Sequence, residues 1–211
     1  MVALLSGAVL AITGVISFGS RSGTTDNAAT TTGTSTNTVP GDQQPIEMPA
    51  TLAGFIDQGK AIQDVNAGAG QDRIAHLDQI NQLTTTAMKE SFGDVGVGVR
   101  SYATPGLESF GTGIAVRAPA PLLEVLPAQD ADYLGLAAPP QEITVVGEVR
   151  CLVTNPVTAK GQQVDPAGIK PVQCQRTGPA LTIIFYPSGD VTVQDAAAAA
   201  AAGALWDAAS G

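Results

Sequence analysis

ITVVGEVRCLVT, residues 143–154, alternates apolar and polar side chains over most of its length. Ile143, Val145, Val149, Cys151 and Val153 fall on one face of an extended chain, and Thr144, Glu148, Arg150 and Thr154 fall on the other. Successive side chains of a strand point to opposite faces, so the spacing predicts one half-buried strand through the whole stretch.

The same period of two recurs on both sides. Val95, Val97 and Val99 alternate with Gly96, Gly98 and Arg100, and Ile114 and Val116 alternate with Ala115 and Arg117. Gly96 and Gly98 lack the third glycine of a dinucleotide-binding loop, and glycines within a strand mark close backbone approach or a bulge. A further strand is predicted from Leu181 to Tyr186, with Pro187 to Asp190 as a turn into Val191 and Val193. These strands read as an antiparallel meander.

Before Gly93 the period is helical. Leu52, Phe55, Ile56, Ile62 and Val65 line one side of a helix with Thr51 as its cap. Ile74, Leu77, Ile80, Leu83, Ala87 and Met88 line a second, with Asp72 near its start and Gly93 at its stop. A last helix follows Asp195 through seven consecutive alanines to Leu205 and Trp206. Helices first, strands next and a helix last give an α+β domain with an antiparallel sheet packed against two preceding helices and a C-terminal Ala-rich helix.

Upstream of this domain the composition changes twice. Val2 to Phe18 carries no charge, and Ser22 to Thr38 is mostly Thr, Ser, Gly, Asn and Ala. Seventeen apolar residues span about 26 Å as a helix, slightly under a hydrocarbon core of about 30 Å. Residues 1–20 are therefore expected to be a signal anchor or a cleaved signal peptide. Residues 21–50 are expected to be a disordered Thr/Ser/Gly-rich linker, because a segment that buries no apolar area cannot offset the entropy of ordering it. Residues 51–211 would then be one extracytoplasmic domain. The expected location is the cell membrane, single-pass, or the exterior if the apolar segment is removed. No basic residue precedes the apolar run, and Arg21 lies on its far side, which runs against the usual orientation rule.

Two cysteines, Cys151 and Cys174, are the smallest even count a disulfide allows. A bridge between them would close a loop of about 24 residues and stabilise the fold by about 3 kcal/mol in the chain-entropy account. Disulfides persist in oxidising compartments, so the pair agrees with export. Structural zinc needs four ligands, and His76, the single histidine, is remote in sequence.

The 211 residues carry 19 acidic and 10 basic side chains, a formal charge of −9. Nucleic-acid binding rests on lysine and arginine displacing counterions, so nucleic acid is excluded as an expected partner. Candidates for chemistry are sparse. His76 stands four residues from Asp72, a spacing that can orient an imidazole, but both lie off the apolar stripe. Asp130 and Asp132 fall short of the six to eight oxygens calcium takes. Arg100 with Tyr102, and Arg117, are candidates for a small anion site or for a solvated face. No nucleophile elbow or phosphate loop is present. The chain is accordingly read as a non-enzyme with no catalytic, metal or cofactor residue.

Recognition by surface remains. The long segment 118–140 contains Leu122, Leu123, Leu126, Tyr133 and Leu134, which either pack as a lid on the sheet or form a patch for a partner. The expected function is a membrane-tethered extracytoplasmic domain that binds a protein partner or supports a cell-envelope assembly. The alternative is an accessory or sensor domain holding a small apolar ligand.

Overall fold

Gly147 breaks the 143–154 stretch in two. In the computed structural model of the protein, which describes residues 43–66, 70–120, 129–189 and 195–210, its φ is 61°. Positive φ at Gly147 and not at Glu148 is the pattern of a type II′ turn, whose twist suits a hairpin. The predicted single strand is thus two antiparallel strands closed by Gly147 and Glu148.

In chain order the elements are β1 (Thr51–Leu52), β2 (Phe55–Asp57), α1 (Gln58–Val65), α2 (Gln71–Phe92), β3 (Val97–Ala103), β4 (Ser109–Val116), β5 (Gln141–Val146), β6 (Val149–Thr154), β7 (Lys170–Thr177), β8 (Thr182–Gly189) and α3 (Asp195–Ala209). The strands form one antiparallel sheet in the order β1-β2-β3-β4-β8-β7-β6-β5. It is two meanders, β1 to β4 and β5 to β8, joined where β4 pairs with β8 from Ser109↔Gly189 to Val116↔Thr182. The expected α+β class and antiparallel sheet are present.

Each face of the sheet has its own core. One row of directly opposed residues crosses six strands: Arg100, Gly113, Phe185, Cys174, Cys151 and Thr144. Around it Tyr102, Ala115, Val153 and Ile183 are buried with Ala198, Ala202 and Leu205 of α3. On the other face Val97, Ile114, Val116 and Ile184 pack with Met88 and Phe92 of α2. Alanine suits α3 because its small side chains let the helix lie close on a sheet that already carries Phe185 and Tyr102.

Several predicted boundaries move. Thr51, Leu52, Phe55 and Ile56 belong to two short strands, not to a helix, and Asp57 caps α1 by accepting from the Lys60 backbone N–H at 3.0 Å. Ala53 and Gly54 between them both have positive φ, the backbone of a tight turn that no helix tolerates. Pro187 to Gly189 continue β8 in place of the predicted turn, because Ser109, Phe110 and Gly111 offer them a partner strand. Helix α2 ends at Gly93 as expected, but Ile80 and Leu83 are exposed, while Asn81 faces the sheet and accepts from the Ser101 hydroxyl at 2.9 Å. The polar Ser101 at that point of β3 selects a polar helix residue over the apolar stripe.

Residues 43–50 are not linker. Ile46 and Met48 are each 6% exposed and belong to the core under α3. This strap lies against the glycines of β3: a Cβ on Gly96 would overlap the Gln44 carbonyl oxygen, and one on Gly98 would stand 2.6 Å from that of Ile46. The close-approach reading of these glycines holds, and the approaching backbone is the strap. The apolar segment 1–20, the tether as far as residue 42, and Leu122, Leu123, Leu126, Val191 and Val193 lie outside the described residues. Among the described residues no helix is long and apolar enough to cross a membrane.

Candidate partner-binding surface

Two connecting segments meet at the end of the sheet where β5 begins and β6 ends. Asn155, 4% exposed, joins them: its backbone N–H donates to Pro140 O at 2.9 Å, and its Nδ2 donates to Pro139 O at 2.8 Å and to Glu142 Oε1 at 2.9 Å. Beyond it, Ala137 N–H donates to Thr158 O and Lys160 N–H to Gly135 O, both at 2.9 Å, around a bridge between Leu136 and Ala159. Lys160 Nζ adds an ion pair with Asp132 at 3.1 Å. The pair is exposed, so its contribution is at most about 1 kcal/mol. The hydrogen bonds carry the attachment.

Residues 130–136 form a helical turn whose first residue acts as its own cap. Asp130 Oδ1 accepts from Tyr133 N–H at 3.1 Å, and Leu136 N–H donates to Ala131 O at 2.8 Å. The turn leaves Tyr133 88% and Leu134 52% exposed, and the facing segment leaves Val157 87% exposed. Asp130 and Asp132 are thereby engaged by a backbone donor and by Lys160. They do not converge on a cation.

Tyr133 and Leu134 are the part of the predicted patch that lies within the described residues, and both are exposed. Val157 was missed, since a single valine between Pro156 and Thr158 has no periodic signal. The edge strand β5 was missed too. Across a two-residue turn the inward parity changes, so Thr144 stands opposite Cys151 and Ile143 opposite Leu152. Ile143 and Val145 therefore leave the face that Cys151 and Val153 share, and are 41% and 62% exposed.

The other candidates occupy two open clefts. His76 lines one of about 400 Å³ between α1 and α2 with Asp72, Arg73 and Ile62. No hydrogen bond or ion pair joins His76 to Asp72 among the described residues. A second cleft of about 630 Å³ lies between α2 and β3, with Asp57, Asp78, Asn81 and Arg100 on its walls. Arg100 ion-pairs with Asp57 at 3.5 Å and donates to Met48 O at 2.6 Å, and Tyr102 donates to Pro49 O at 2.8 Å. These groups hold the strap, which corrects their reading as an anion site. Arg117 lies against the strap as well, with its Nε buried and no partner for it among the described residues. Burial raises the Tyr102 phenol well above its ordinary pKa; the Arg100 charge opposes this and Asp57 reinforces it.

Cys151 and Cys174 form the expected disulfide, with both residues wholly buried beneath α3. Among the described residues no three His, Cys, Asp or Glu side chains gather as a metal site would require. No family model, no curated protein and no solved structure matches this chain.

Proposed function

We propose that the chain is a membrane-tethered, extracytoplasmic domain of non-enzymatic role that binds a protein partner or supports a cell-envelope assembly. The observation that carries the reading is the exposure of Tyr133, Leu134 and Val157 on two segments fixed to each other by backbone hydrogen bonds. Apolar side chains held out on ordered backbone bind with little further loss of conformational entropy, whereas the same side chains on a loose loop would have to be ordered first. The Cys151–Cys174 bridge supports the location, because such bonds persist in oxidising compartments. The uncharged Val2 to Phe18 segment supports the tether. Both described clefts are open to solvent, which favours a protein partner over a buried small apolar ligand.

Site-specific photocrosslinking at Tyr133 and at Val157, in intact cells producing the full chain, tests this. The expected result is a crosslink to an envelope protein at both positions, together with digestion of the domain by protease added from outside. Crosslinks to cytosolic proteins alone, or protection from external protease, would overturn it.

A further inference from the structure

We infer that β5 is a self-pairing edge, and that two copies of this chain join β5 to β5 about a two-fold axis at Thr144 to make one continuous sheet. The inference is independent of the loop surface and of the tether.

Strand β5 pairs only with β6 among the described residues. Which of its backbone groups face outward follows from three observed bonds. Asn155 N–H donates to Pro140 O, Gln141 N–H points away to Gln129 Oε1 at 3.2 Å, and the two-residue turn closes on Val146 and Val149. Residues 140, 142, 144 and 146 thus face β6, and Ile143 and Val145 direct their N–H and C=O groups outward. Neither has a partner for them among the described residues.

Natural sheets protect such edges with proline, lysine, bulges or very short strands. The opposite edge follows that rule, ending in β1 and β2 of two and three residues. The sequence of β5, Gln-Glu-Ile-Thr-Val-Val, has none of these devices.

The strand is also self-complementary, as a two-fold interface must be. With Thr144 on the axis, Ile143 lies opposite Val145 of the second copy and Val145 opposite its Ile143, each pair exchanging two backbone hydrogen bonds. The side chains that are 41% and 62% exposed in one copy then cover each other. Glu142, the one charge on β5, meets Val146 of the second copy and not itself, and its carboxylate is already held by Asn155. Arg150, opposite Val145 on β6, is separated from Arg150 of the second copy by the two β5 strands. A strand from an unrelated protein would gain the four hydrogen bonds but has no reason to reproduce this match of side chains.

Sedimentation equilibrium of the purified full chain is the test. The expected result is a reversible dimer that tightens with added salt, since each copy carries −9. Val145→Pro removes an outward N–H that β6 does not use, together with the side chain facing Ile143 of the second copy, so it should weaken the dimer by at least about 30-fold while the melting temperature of the monomer stays unchanged. Ile143→Lys should weaken it likewise, and Tyr133→Ser, off the edge, should leave it intact. Register is read by mixing an Ile143→Cys chain with a Val145→Cys chain: the mixture should oxidise to a crosslinked pair faster than either alone. A monomer at every accessible concentration, a dimer indifferent to Val145→Pro, or an edge found occupied by another protein's strand would each overturn the inference.

Discussion

Cys151 and Cys174 are directly opposed across β6 and β7, their Cα atoms 4.0 Å apart and both side chains wholly buried. Only 23 positions separate them in the chain, yet the intervening segment makes a long excursion through Pro156, Pro166 and Pro171 before pairing resumes. The bridge therefore closes that excursion into a loop in the unfolded chain. Replacing both cysteines by alanine should cost about 3 kcal/mol and lower the thermal midpoint by roughly 10 °C, measured by calorimetry. The protein should take up no alkylating reagent, folded or unfolded, until a reductant opens the bridge.

The strap of residues 43–50 tests the glycine stripe. Gly96→Ala places a methyl group on the Gln44 carbonyl oxygen, so it should destabilise the domain by about 1–3 kcal/mol and make the strap cleavable by protease. Gly203→Ala is the contrast. Its new methyl meets nothing within 4 Å in the middle of α3, and the change should stabilise the domain by about 0.5–1 kcal/mol. A urea titration of both variants decides the matter, and equal midpoints would remove the packing argument.

Asn155 is the joint of the candidate surface. Asn155→Ala leaves Pro139 O and the Glu142 carboxylate without their donor, and should cost about 1–3 kcal/mol. Glu142→Gln keeps an acceptor oxygen for Asn155 and should cost much less. Amide exchange at Ala137 and Lys160, whose N–H groups tie the two segments, should rise in the alanine variant and stay slow in the glutamine variant.

Tyr102 should lower the stability of the domain at alkaline pH. Its phenol is held neutral by burial, so its folded pKa lies above that of the unfolded chain, which is about 10. Above that pH the unfolded state binds fewer protons than the folded one, and stability must fall as pH rises. Tyr102→Phe loses the bond to Pro49 O, about 1 kcal/mol near neutrality, but should flatten the decline above pH about 10. Denaturant midpoints followed across that range report it. An alkaline decline of unchanged steepness in the variant would assign the effect to another group.

What could be read in advance followed the range over which each signal acts. Helix α2 was legible because its period and its Gly93 stop are local properties. Its sheet-facing side was legible only in part: Met88 packs on the sheet as its place in the stripe predicts, whereas Ser101, twenty positions from Asn81, pairs with that residue and leaves Ile80 and Leu83 exposed. Tyr133 and Leu134 were legible as apolar residues in a connecting segment. That they stand out on ordered backbone depends on Thr158, Ala159 and Lys160, whose sequence carries no sign of the pairing.

The amino-acid order alone determined that strands, helices and a pair of bridgeable thiols would exist, because alternation, helical spacing and cysteine count need no knowledge of neighbours. Which residues of those strands face solvent was decided only in three dimensions. A two-residue reversal at Gly147 and Glu148 moved Ile143 and Val145 off the face of Cys151, and left them on an edge that nothing else among the described residues covers. The physical reason is that side-chain alternation has a period of two, so a single turn placed differently exchanges inside for outside along the whole strand.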